Sequence, residues 1–170
     1  LAGRCFYMID KFKEAEQSLQ EIAKANEPAA AEAAYWLGKT QLKLNQPDKA
    51  LQTVEQAINR YGTSDFLAHL KLLRIDMLYE LPQRRVETLP LYEAFLQEFP
   101  AHELAFQARY MAALSALGQS EFGKARKYAE ALLSDSGSFV LLRPGAMYIV
   151  AESLLLEDSE NADGRVKALS

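Results

Sequence analysis

Along most of the chain apolar residues return every three or four positions, broken by short polar or Gly/Pro-containing stretches. That period is the one an amphipathic helix needs. The stretch YWLGKTQLKLNQPDKALQTVEQAINRYG, Tyr35 to Gly62, carries it best. It predicts a helix over about 29–44 and a second over about 47–61. Asn45 tolerates the left-handed conformation that ends a helix. Pro47 suits a first helical turn, where its missing N–H is not needed. Gly38, however, lies inside the first helix, where glycine costs about 1 kcal/mol relative to alanine.

The pattern repeats, and the repeat explains the glycine. Gly38 precedes Ala50 by twelve residues, as Gly3 precedes Ala15 and Ala113 precedes Ala125. The second small position recurs 35, 38 and 37 residues on, from Ala15 to Ala50, Thr88 and Ala125. Each unit reads as two helices, A then B, joined by a tight turn. Units are expected at about 1–28, 29–62, 63–100, 101–137 and 138–170, with breaks at Glu27–Pro28, Gly62, Pro100 and Ser136–Gly137. Gly3, Gly38, Ala113 and Ala151 on A helices, and Ala15, Ala50 and Ala125 on B helices, are expected to let paired helices approach closely. A lone hairpin cannot bury its apolar face, so neighbouring units must stack.

Two units are irregular. In the third, Phe66, Leu70, Leu73 and Met77 form one apolar stripe, but no small residue falls at the expected place. Pro90 either starts its B helix or kinks it. In the fifth, helix A is expected over about 145–156, followed by a polar loop, EDSENADG, and the start of another helix. Leu1, not methionine, opens on a periodic pattern, which reads as a fragment or a processed product.

Leu37, Gly38, Asn45, Ala50, Ala57 and Tyr61–Gly62, with Phe99–Pro100 closing the next unit, resemble the tetratricopeptide repeat family. The resemblance covers essentially the whole chain. It implies an all-α fold, a right-handed superhelical α-solenoid of antiparallel helix pairs, and binding of proteins or peptides rather than catalysis. INRYG and LQEFP look like bacterial envelope members, including periplasmic coordinators and outer-membrane assembly lipoproteins. In the chaperone-binding subgroup, lysine, asparagine and arginine clamp a terminal carboxylate. Here the matching slots hold Tyr35 and Lys39, then Tyr110 and Leu114, which argues against such a clamp.

The resemblance also implies that A helices line a concave surface. The side chains expected there are Arg4 and Tyr7, then Tyr35, Lys39, Leu42 and Lys43, then Tyr110 and Leu114, then Tyr148 and Glu152. A groove of tyrosines with a basic end suits peptide recognition. The alternative is that these rings only pack one helix against the next.

Composition adds exclusions. Net charge is −4, so bulk electrostatics favour neither nucleic acid nor an anionic membrane. No apolar run is long enough for a membrane span. One cysteine, Cys5, forms no internal disulfide and reads as a buried, inert thiol. His69 and His102 fall in different units without metal-ligand spacing. EDSENADG lacks the ligand alternation of a calcium loop. No catalytic constellation, cofactor motif or metal site is found. The expected function is a non-enzymatic scaffold for a protein or peptide, with self-association through the truncated terminal units left open. The other reading is a structural spacer or oligomerisation arm of a larger membrane-anchored or catalytic protein.

Overall fold

The computed structural model describes residues 2–25, 29–134 and 140–168, and the side chains of all of these except 140 and 160–168. The breaks expected at Glu27–Pro28 and Ser136–Gly137 lie outside the described residues. Nine α-helices are found among the described residues: α1 Ala2–Met8, α2 Phe12–Lys24, α3 Ala30–Lys43, α4 Pro47–Arg60, α5 Leu67–Glu80, α6 Thr88–Glu98, α7 Ala105–Gly118, α8 Phe122–Ser134 and α9 Arg143–Ala168. The fold is an all-α solenoid of helix pairs. It divides into two compact units, Leu1–Met77 and Leu78–Ser170, each with its own packing.

Three left-handed residues, two in the first unit and one in the second, set the turns. Asn45 has φ 58°, and the Gln46 N–H donates back to Gln41 O at 2.9 Å. Asp10 (φ 59°) and the Lys11 N–H to Phe6 O bond form the same closure after α1. Ser120 (φ 58°), with Glu121 N–H donating to Ala116 O, repeats it in the second unit after α7. A left-handed residue followed by a bond spanning five residues is the Schellman ending of a helix. These turns recur at the spacing of Ala15, Ala50 and Ala125. Pro47 then stands at the start of α4.

Small residues sit where the paired helices cross. Gly3 is buried, and a Cβ there would overlap Leu19 of α2. A Cβ on Gly38 would lie 2.6 Å from Val54 Cγ2 of α4. Ala15 and Ala50 are fully buried on the opposing helices. One core gathers Ala31, Ala34, Ala50, Val54, Ala57, Leu70 and Met77; a second gathers Ala15, Leu19, Ala33, Trp36 and Leu37. The stripe expected on α5 is therefore inward-facing, with Phe66 and Leu73 partly buried beside Leu70 and Met77. The Tyr61 hydroxyl donates toward Ala23 O (2.9 Å) and Ala25 O (3.0 Å), tying the end of α4 to the end of α2.

In the second unit Ala113 and Ala125 are likewise fully buried. Thr88 occupies the small slot of α6. Its hydroxyl donates to Arg85 O at 2.7 Å and lies 2.9 Å from Ser115 Oγ of α7, so the slot is filled by a satisfied polar pair. Pro90 is the third residue of α6, which follows a 3₁₀ turn at Arg85–Glu87. Pro90 thus belongs to a first turn and kinks nothing. The Tyr128 hydroxyl donates to Glu93 Oε1 at 3.0 Å, joining α8 to α6. Burial, reinforced by that bond and the Glu93 charge, pushes the Tyr128 phenol up to about 12.

Three expectations are corrected. Ala151 is exposed, not at a helix crossing. On α9 the buried face is Ala146, Ile149 and Ser153, and Gly145 instead makes the close approach: a Cβ there would lie 2.5 Å from the Tyr110 hydroxyl. The loop expected at 157–164 is helical, because α9 runs unbroken to Ala168. That polar stretch has no proline, so no residue in it removes a helical N–H donor. Among the described residues no turn follows there and no B helix folds back over Ala151. Cys5 is exposed, since it lies two residues, about 200°, around α1 from the buried Gly3.

Two outcomes follow. Gly38→Leu overpacks the α3–α4 crossing and lowers stability by about 1–3 kcal/mol in denaturant unfolding; an unchanged midpoint contradicts the crossing. Tyr128 favours its neutral form in the fold more than an unfolded tyrosine does. The stability it contributes is complete below pH 10 and is lost as pH rises through about 12. Tyr128→Phe should therefore show a shallower loss of stability across that window than the parent chain.

Candidate binding site

The expected A-helix positions of the first unit converge into one aromatic–cation cluster. Ring centroids of Tyr7 and Trp36 lie 5.3 Å apart, and those of Tyr35 and Trp36 also 5.3 Å apart, edge to face. Phe12 extends the row beyond Tyr7 at 5.7 Å. Phe66 and His69 extend it beyond Tyr35, at 6.0 and 5.6 Å. Four elements supply it: α1, the start of α2, α3, and α5 with its preceding turn. Such pairs are worth about 0.5–1.5 kcal/mol each beyond their burial.

Lys39 sits over this row. Its Nζ is 5.2 Å from the Trp36 ring centroid, 5.4 Å from Tyr35 and 5.8 Å from Tyr7. The helical spacing places 35, 36 and 39 around one edge of α3. Arg4 reaches Trp36 as well, with its guanidinium carbon 5.2 Å from the ring centroid, and pairs with Glu32 at 3.7 Å. Among the described residues Lys39 makes no ion pair. Burial lowers its pKa, and Lys43 lowers it further, while Asp76 opposes from a distance. Burial raises the Tyr35 phenol, with Tyr7 and Asp76 adding; burial and then Asp10 raise Tyr7. The face is therefore a half-buried cation on neutral aromatic rings.

The remaining expected positions differ in environment. Leu42 and Lys43 are exposed on α3. Tyr7 and Tyr35 are half-buried and pack against the core while also framing Lys39. In the second unit Tyr110 is half-buried against Gly145, Leu114 is half-buried beside Pro82 and Val86, Glu152 is half-buried, and Tyr148 is 59% exposed. The tyrosines thus do not form one uniform row: two frame a cation, one packs a helix, one faces water.

Trp36 is the side chain the sequence reading missed. It is the single tryptophan, buried, and it contacts both cations of the site. Its signal was local: Tyr-Trp followed three residues later by lysine sets a ring beneath an ammonium on a helix. Among the described residues the indole N–H has no hydrogen-bond partner. No group of acids, histidines and cysteines fit to hold a metal occurs among the described residues, and no helix among them is long and apolar enough to cross a membrane.

A tetratricopeptide repeat family model matches residues 6–66. No curated protein matches in sequence. Among solved structures, the chain is similar to "MamA RS-1 ArsTM double mutant", with a TM-score of 0.64 at 17% identity over 95% of this chain and 93% of that one. At that identity the likeness shows a shared fold. Residues 6–66 thus match the tetratricopeptide repeat family in sequence, and the chain shares along nearly its whole length the fold of that solved structure.

Proposed function

We propose that the chain is a non-catalytic scaffold that holds a segment of another protein against the A-helix face of its first unit. Tetratricopeptide repeats generally mediate protein–protein interactions, which supplies the broad class. One observation carries the finer reading: the Lys39 ammonium stands half-buried over three rings with no ion-pair partner among the described residues. A cation kept partly out of water without a carboxylate is costly to the free protein. A segment that brings a carboxylate and an apolar side chain relieves that cost and covers the rings. Arg4, Tyr7, Tyr35 and Trp36 supply contact area; Lys43 and Leu42 form the exposed margin. In the second unit Tyr110, Leu114, Tyr148 and Glu152 are the corresponding candidate contact positions in this reading.

Trp36 fluorescence reads the site directly, because there is no other tryptophan. A peptide array screened with the intact chain should yield ligands that shift Trp36 emission. Lys39→Met should abolish the shift while changing stability by less than about 1 kcal/mol, since the lost cation–π attraction offsets the relieved burial. Ligands that bind Lys39→Met as tightly as the parent chain would remove this reading. Tyr35→Ala, Tyr110→Ala and Tyr148→Ala, combined, separate groove from core: a folded variant without binding supports the groove.

A second reading, self-association, has its own observation. On α9, Met147, Leu154 and Leu155 are 61%, 48% and 68% exposed beside the exposed Ala151. Two copies joining these faces would bury them symmetrically. Light scattering should then give a dimer for the parent chain and a monomer for Leu154→Glu/Leu155→Glu; a monomeric parent chain at all concentrations rejects it.

A further inference from the structure

A second recessed surface of the first unit lies on another side of α3. Between α2 and α4, over a floor of α3, runs a cleft of about 300 Å³. Its floor is apolar, Ala34 and Leu37 of α3, and Ala57 of α4 lines it too. Its two ends are tied. Near the helix starts, Lys49 Nζ meets Glu16 Oε1 at 2.7 Å. Near the helix ends, Tyr61 bonds the Ala23 and Ala25 carbonyls. Between these ties α2 and α4 advance by about 10–18 Å at 1.5 Å per residue. That is the length of about three to five residues of extended chain.

The polar lining is unusual in kind. Gln20 on α2, Gln41 on α3, and Gln52 and Gln56 on α4 all border the cleft. Gln41 is 2% exposed, and its Oε1 has no hydrogen-bond partner among the described residues. A buried amide oxygen left unmet costs about 1–3 kcal/mol. Water is one way to meet it; a donor from a ligand is another. A carboxamide presents an acceptor and a donor side by side, as a main-chain peptide group does. Among the described residues no carboxylate lines the cleft: Lys24 and Arg60 stand on its rim, and Lys49 is already paired with Glu16 at one end. At about 100° per residue, Gln41 points roughly 120–160° around α3 from Tyr35 and Lys39, so this cleft and the aromatic face are separate.

We propose that the cleft between α2 and α4 binds a short extended segment of acidic polypeptide. Its peptide groups pair with the glutamine carboxamides, Gln41 first. Alternate side chains point to opposite sides of an extended strand. Small ones therefore rest on the alanine floor, and acidic ones reach Lys24 and Arg60. This inference does not rest on the aromatic face, and either site can fail without the other.

The test uses the intact chain and the peptide acetyl-Glu-Ala-Glu-Ala-Glu-amide, followed by NMR at the glutamine side-chain amides. Saturable shifts at Gln20, Gln41, Gln52 and Gln56 are expected. The glutamine-for-glutamate version of the peptide should bind at least fivefold more weakly. Gln41→Leu removes an unmet polar group and should fold with an equal or higher Tm, yet lose at least fivefold in affinity. Lys24→Glu/Arg60→Glu, both surface changes, should lose as much, and Lys39→Met should lose nothing. Absence of saturable shifts, meaning a cleft that holds water only, overturns the proposal. So do shifts confined to the Tyr35–Lys39 face, or full affinity in Gln41→Leu.

Discussion

The closeness of paired helices governs this structure. Where α3 crosses α4, only a hydrogen fits against the Val54 methyl; where α1 crosses α2, only a hydrogen fits against Leu19. A glycine within a helix weakens it by about 1 kcal/mol. Here the loss is offset by packing that a side chain would prevent. The same crossing sets the rotation of each helix. Once Gly38 and Leu37 face α4 and the core, Tyr35 and Lys39 must face elsewhere, so the aromatic face is a by-product of the register.

That dependence explains what was legible in the sequence. Small-to-small intervals at Gly3–Ala15, Gly38–Ala50 and Ala113–Ala125 placed three hairpins, because steric exclusion leaves a residue-type signature. The turn at Asn45 was legible because asparagine favours positive φ. The equivalent Ser120 was not, since serine gives no such signal and the conformation is imposed by the flanking helices; Asp10 shares asparagine's tendency, and its signal went unread. The fifth unit was misread for a similar reason. Ala151 matches Gly38 by interval, but the interval has meaning only if a partner helix follows. With α9 continuing past residue 164, the buried face rotates to Ala146, Ile149 and Ser153, and Gly145 takes the close approach. Glycine followed three residues on by tyrosine gives no hint of a ring contributed by α7.

The aromatic site was partly legible for a different reason. Tyr7, Tyr35, Arg4 and Lys39 lie at positions the repeat assigns to one face, and periodicity alone gathers them. Periodicity says nothing of depth. It therefore could not separate rings that frame a cation from Tyr110, which packs on a glycine, or Tyr148, which meets water. Trp36 escaped because its position falls between the two expected faces. It is buried against the first hairpin yet carries Lys39 and Arg4 on its ring. A large residue between faces is where core and surface chemistry are joined.

Gln41 makes the same point from the opposite side of α3. Its place in the heptad-like pattern is a core place, next to Leu37 and Gly38, and burial there ordinarily selects an apolar residue. A leucine would fill the space and leave no unmet oxygen. Keeping a carboxamide at a position that is 2% exposed lowers stability unless something outside the fold supplies the missing partner. Lys39 presents the same imbalance as a cation. Two polar groups on one helix, each half or wholly withdrawn from water and each lacking, among the described residues, a partner of the opposite kind, are not accounted for by folding alone. Both become economical if α3 is the shared wall of two recognition surfaces, with its register set by Gly38 between them.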